Sequence, residues 1–331
     1  MTDTARGTTG SRPLALGEEH VEPDEGAVTA AFITFLKDAS ARRYPTGPMR
    51  RFNQGRAAGC VQGEFIVPDG LPADLRVGVF AQARSHPVWI RFASASSQSD
   101  KERDTRGMSL KLSGVAGGNL TPGCTEQDFV LNSHPVMMVA NTREFLELLR
   151  ANEVGGFTRI LYFLRHLRTV NIAREAQQQP ASHLDIPYWS TVPFRFGGAG
   201  TAVKYAVRPT SRQTSTKPTV LTDDYLRQAM RAHLATGEAT FDFLVQCQAD
   251  GVRTPIEDAS VEWKENLSPF RTVAEIRIPS QSVGEGDADA RCETSSFNPW
   301  HCLAEHQPLG NMNRARREIY RAMAEFRASR R

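Results

Sequence analysis

Apolar positions along the chain fall into two rhythms. In DEGAVTAAFITFLKDASARRY, residues 24–44, Val28, Phe32, Phe35 and Leu36 recur at helical spacing behind an acidic first turn, which predicts a helix. The rhythm then changes. AGCVQGEFIVP, LRVGVFA, PVWIRFAS and GMSLKLSGV are rich in β-branched and aromatic residues and are separated by Gly, Pro, Asp and Ser clusters, so they read as strands of an antiparallel meander. Helical spacing returns in TREFLELLRAN and in GGFTRILYFLRHLRTVNIAREAQQQ, the second ending before Pro180. YWSTVPFRF and AVKYAVRPT read as strands, and TDDYLRQAMRAHLATG as a helix closed by Gly237. ATFDFLVQCQAD and TVAEIRIPSQ are again strand-like, and LGNMNRARREIYRAMAEFRASRR is a final helix. The pattern predicts an α+β fold: a large, closed antiparallel sheet with helices packed outside it.

Composition narrows the partners. The chain has 331 residues, 40% of them hydrophobic, enough for one substantial core. Residues 1–24 are polar and read as a disordered tail, with a single domain over 25–331. A net charge of +3, from 40 Lys and Arg against 37 Asp and Glu, argues against nucleic acid or an anionic membrane as partner. No run reaches the roughly 18 apolar residues of a membrane span, and no signal peptide is visible, so a cytoplasmic protein is expected. Five scattered cysteines, Cys60, Cys124, Cys247, Cys292 and Cys302, include no C-x-x-C pair. They read as reduced, mostly buried thiols, with Cys60 a core thiol.

The last helix carries the first chemical signal. Met312, Arg316, Tyr320, Met323 and Arg327 share one stripe at about 100° per residue. Two Arg and a Tyr on a core-facing stripe need partners. In the plainer reading the Arg pair with carboxylates elsewhere. In the sharper one Tyr320 is an axial ligand to haem iron, because tyrosinate is a known haem ligand and Arg316, one turn earlier, lowers the cost of losing its proton. Arg327 is then placed to meet a haem propionate.

At these residues the sequence resembles the haem catalases, and more closely the small bacterial catalase-like proteins, the catalase-related peroxidases, over about residues 45–330. Arg316, Tyr320 and Arg327 stand at that family's spacing, and FNPWHCLAEHQPLG resembles its approach to the same helix. The resemblance implies a catalase-like barrel and haem b bound through Tyr320, with Arg51, Arg91, Phe145, Arg316 and Arg327 holding the cofactor. DTRGMSLKL is similar to a further family segment. On the distal side the frame matches but the content does not. Gln54 stands where the family has its acid/base histidine, and Ala93 where a serine would hold that histidine. Asn132 retains the family's asparagine in VLNSHPVMM, while Met137 and Met138 replace two phenylalanines.

These departures bear on chemistry. A carboxamide can hydrogen-bond to a bound oxygen but does not titrate near neutrality, so it cannot carry a proton between the two oxygens of H2O2. That general acid–base step is typically worth about 10²–10⁴-fold. The expectation is therefore a haem-dependent oxidoreductase, lyase or isomerase of specialised metabolism. It would act on a small organic substrate with a weak O–O or N–O bond, or with peroxide as co-substrate. Gln54 and Asn132 would be its positioning groups, and Asn53, Ala93, Met137 and Met138 would line the pocket. A weak catalase or peroxidase is the alternative, and a haem carrier or sensor the third reading. His134, two residues after Asn132, reads as structural, with a minor reading in which it replaces the lost histidine. The chain is expected to be a monomer or homodimer.

Overall fold

An acidic start and a basic end frame helix α1 (Glu25–Arg43): Glu25 lies in its first turn and Arg42 and Arg43 in its last, matching the helix dipole. The computed structural model describes residues 13–284 and 287–330. After α1 come four strands, β1 (Arg56–Val67), β2 (Arg84–Ser94), β3 (Arg106–Leu112) and β4 (Gln127–Asn132). Helices α2 (Thr142–Val154), α3 (Gly156–Arg165) and α4 (Leu167–Ala176) follow, then β5 (Tyr188–Trp189), β6 (Phe194–Arg195) and β7 (Ala202–Pro209). The chain finishes with α5 (Tyr225–Thr236), β8 (Ala239–Cys247), β9 (Arg271–Ile278), α6 (Ala288–Thr294) and α7 (Asn311–Ala328).

The strands lie in the order β5-β4-β3-β2-β1-β9-β8-β7-β6, and β5 also pairs with β7. That extra pairing closes eight strands into an antiparallel barrel and leaves β6 as an appendage. Closure removes exposed edges, and the inward-facing residues fill the interior. Phe129 and Phe243 meet with ring centroids 4.7 Å apart, and Phe65 and Tyr205 each pack within 5.0 Å of one of them. Each fully buried aromatic of this kind stabilises the fold by about 1.5–3 kcal/mol. The barrel is thus a packed core, and chemistry has to sit at its rim.

Four expectations are corrected. LRVGVFA is not a strand: Gly78 adopts φ 52° and the chain turns there, with the Val79 N–H donating to His306 Nε2 at 3.1 Å. The long helix after Gly155 breaks at His166, whose Nδ1 lies 2.8 Å from the Tyr162 carbonyl. Residues 13–24, assigned to a disordered tail on composition, lie against the domain. Gly17 donates to Gln248 Oε1, and Arg314 gathers Glu19, Glu25 and Glu257 into one ion cluster. The rest of that stretch, 1–12, lies outside the described residues. Finally, Cys60 and Cys292 form a disulfide between β1 and α6, where reduced thiols were expected. Free thiols remain at Cys124, Cys247 and Cys302, of which only Cys302 is buried. No helix among the described residues is long and apolar enough to cross a membrane.

Candidate functional site

The distal residues are assembled by the register of the barrel. Ala93 on β2, Gly107 on β3 and Asn132 on β4 stand opposite one another, and Trp189 on β5 continues the row. Gln54, in the loop before β1, lies on this row. A Cβ at Gly107 would come within 2.2 Å of Gln54 Oε1, so any larger residue there would push the carboxamide out of its place. Gln54 itself sits at φ 58°, a left-handed conformation rarely adopted by a residue with a long side chain. Three contacts hold it there. Its N–H donates to Ala95 O and to Asn53 Oδ1, and its own carbonyl accepts from Arg91. The strain and its bracing present the side chain: Nε2 donates to Asn132 Oδ1 at 3.2 Å, while Oε1 is buried without a hydrogen-bond partner.

The other residues predicted to line the pocket lie in different settings. Ala93 is 1% exposed and offers no hydroxyl. Asn53 is exposed and acts on the turn rather than on the row. Met137, Met138 and Phe145 are partly buried against the barrel core. Phe145 also joins Phe52, Ile319 and Met323 in a second cluster beside α1, with Phe32 edge-on at 5.5 Å. This cluster joins the loop of Gln54 to α7. His134 has its Nδ1 3.1 Å from the Val136 carbonyl and Glu175 3.9 Å away, so its ring is occupied away from the amides.

On α7 the Arg316 guanidinium donates to the Tyr320 hydroxyl at 2.9 Å and lies 5.0 Å from the centre of its ring. Arg316 is itself oriented by Asn313 Oδ1 at 3.1 Å. Asn313 is fully buried: its Nδ2 donates to Pro193 O, and its carbonyl accepts from the Trp300 indole. Sequence reasoning missed Asn313, although it sits three residues before Arg316 on the stripe that drew attention.

The third assembly is one of charge. Arg51 and Arg91, 13% and 2% exposed at their side chains, both pair with Glu293 of α6, at 3.0 and 2.9 Å. Arg51 also donates to the carbonyls of Cys292 and Ser295, and Arg327 reaches Ser295 O at 3.5 Å. Burial alone would push the Glu293 carboxyl up, but Arg91, Arg51 and Arg327 outweigh it and hold the group below the usual carboxylate range. Three of the four arginines expected to hold the cofactor thus converge, and they converge on a carboxylate of the chain itself. Glu293 was also missed; nothing in DARCETSS marks it. A cavity of about 620 Å³ opens between the 20–28 stretch, Asn141–Arg143, Glu257 and Asn311, but none of the predicted site residues lines it.

With this geometry in hand, comparison with known proteins is informative about shape. No family model matches the chain, and neither does any curated protein. Solved structures do match. A fungal catalase superposes with a TM-score of 0.69 at 16% identity, over 88% of this chain and 62% of its own. The fold is that of the catalases. Catalase A from Saccharomyces cerevisiae gives 0.68 at 16%, over 88% and 63%, and a bacterial catalase 0.64 at 17%, over 90% and 60%. The chain therefore spans about three fifths of the length of the catalases it matches. At such identities the likeness speaks for the catalase fold, and the chemistry has to be argued from the residues.

Proposed function

We propose that the protein is a haem-dependent enzyme that acts on a small organic substrate and is a poor catalase. The observation that carries this reading is a pair of opposite settings: a guanidinium donating to the Tyr320 oxygen on α7, and amides alone on the barrel row. The residues present fit haem b. Arg316 donates to the Tyr320 oxygen, the atom through which a tyrosinate would ligate ferric iron. Gln54 Oε1 is a buried acceptor without a donor, as a group meant for a bound molecule would be. Arg51, Arg91 and Arg327 would take the propionates, with Glu293 sharing or yielding the first two.

When bound, the haem supplies an iron centre able to polarise and cleave a weak O–O or N–O bond. The chain supplies the rest. Gln54 and Asn132 orient an oxygen or nitrogen of the substrate by hydrogen bonds and move no proton. Ala93 has no hydroxyl to steer a base, and Met137 and Met138 adapt their thioethers to an irregular ligand better than rigid rings do. A site that keeps its scaffold and proximal groups but lacks the proton carrier suits a substrate that brings its own labile bond or acid/base group, as in specialised metabolism. A weak peroxidase is the second reading, favoured by the complete Arg316–Tyr320 pair.

The test is the ferric absorption spectrum of the haem-reconstituted protein beside Tyr320→Phe, before and after H2O2. The expected result is a tyrosinate-type spectrum, altered in the variant, with little oxygen evolved. Vigorous oxygen evolution would overturn the organic-substrate reading, and failure to take up haem stoichiometrically would overturn the haem reading.

A further inference from the structure

Helix α3 has no buried residue, although its sequence GFTRILYFLR is largely apolar. Tyr162 and Phe163 lean on the barrel core. The other side is bare: Phe157, Ile160 and Leu164 are 76%, 55% and 66% exposed, with Val154 before them at 70% and Leu167 after them at 64%. The spacing of 157, 160 and 164 is that of one helical stripe. Five of the large apolar side chains that the domain exposes thus fall within 14 consecutive positions, 154–167. Scattered exposed apolar residues need no explanation, whereas a contiguous set along one helix face marks a contact surface.

Charge identifies the occupant. From 154 to 174 the chain has four arginines, Arg159, Arg165, Arg168 and Arg174, all exposed, and no Asp or Glu. Arg168 approaches Asp258 at 3.9 Å, while Arg159, Arg165 and Arg174 form no ion pair among the described residues. The net charge of the whole chain hides this concentration, because carboxylates elsewhere balance it. A second copy docked face to face would bring two such sets of arginines together, like charge on like. An anionic bilayer accepts both features at once: the apolar stripe sinks into the acyl boundary and the guanidiniums reach the phosphates. A ten-residue helix is far too short to span, so it would lie in the plane of the surface.

We propose that the exposed face of α3, with the start of α4, is a docking surface for an anionic lipid bilayer. The α2–α4 excursion leaves the barrel after β4, which ends at Asn132, and returns at β5, whose Trp189 stands opposite Asn132. The surface thus lies on the excursion that separates two strands of the row beside Gln54.

Co-sedimentation of the full chain with phosphatidylglycerol/phosphatidylcholine vesicles, beside pure phosphatidylcholine vesicles, tests this, with light scattering on the same samples. The expected result is binding to the anionic vesicles at least tenfold tighter than to the neutral ones and weakened by salt. Both Phe157→Glu/Leu164→Glu and Arg159→Gln/Arg165→Gln should lose at least tenfold; these side chains are exposed, and circular dichroism checks that the variants fold. No vesicle binding overturns the proposal. If the chain is then a dimer that Phe157→Glu/Leu164→Glu separates, the face joins two copies instead. Binding that both variants retain also overturns it, since the lipid would then be meeting another surface.

Discussion

The α7 side of the candidate site and the barrel side are built on opposite electrostatic principles. On α7 a permanent cation touches a phenol, and a fully buried asparagine, itself tied to Pro193 and Trp300, holds that cation in place. At the rim of the barrel the facing groups are two neutral amides on a floor of alanine and glycine. One side is organised to fix a charge and the other to offer hydrogen bonds without changing charge. The contrast teaches that a catalase-shaped scaffold can set a cation against a tyrosine on one side and present only neutral amides on the other.

The contrast can be broken from the barrel side by introducing a side chain that titrates near neutrality. Gln54→His combined with Ala93→Ser should raise H2O2 turnover of the haem-loaded protein by about 10²–10⁴-fold, the usual worth of a positioned acid–base group. The single Gln54→His change should gain less, because nothing steers the imidazole. Oxygen-electrode rates measure both, and an unchanged rate in the double variant would mean that proton transfer is not what the barrel side lacks.

A smaller effect is expected where the two sides share charge. Glu293→Gln removes the internal carboxylate from Arg51 and Arg91, so haem should be taken up about tenfold more readily, the scale of one hydrogen bond to a charged group. Titration of the haem absorption band reads this, and equal uptake would show that Glu293 does not compete for the pair. The pH dependence has a definite sign. The Glu293 carboxyl is held below its ordinary value in the folded protein. Its contribution to stability is therefore complete above the unfolded carboxylate pKa and is lost as the pH falls through the lower, folded value. Thermal melts of wild type and Glu293→Gln should converge at acid pH and diverge toward neutrality.

The mildest change acts on α7 from behind. Asn313→Leu leaves Tyr320 in place but removes the acceptor that orients Arg316 and the donor to Pro193 O. It should cost about 1–3 kcal/mol of stability and shift the ferric spectrum in the same direction as Tyr320→Phe, though less far. A spectrum identical to wild type would mean that Arg316 needs no help from Asn313.

What the sequence showed and what it hid follow a physical division. Arg316 and Tyr320 share a helix, so their spacing alone announced a contact that the structure places at 2.9 Å. The barrel was legible because its strands carry apolar and β-branched runs of the right length. Contacts that depend on closure of the fold were not. Glu293 meets Arg51 and Arg91 across more than 200 positions, and DARCETSS has no local pattern to betray it. Residues 13–24 looked disordered because they are polar, yet polar side chains are what the Arg314 cluster requires. LRVGVFA looked like a strand because its apolar residues obscured a glycine that turns the chain. Gly107 was in view within DTRGMSLKL, but its purpose appears only when Gln54 lies across it.

The Cys60–Cys292 bond closes a covalent ring that spans 232 positions of sequence. Most of the barrel and the whole α2–α4 excursion belong to the ring. A protease that cuts the exposed α3 therefore opens the ring without dividing the molecule, and the two pieces separate only once the sulfurs are reduced. The chain can be clipped at α3 and still travel as a single covalent body in any compartment oxidising enough to keep that one bond intact.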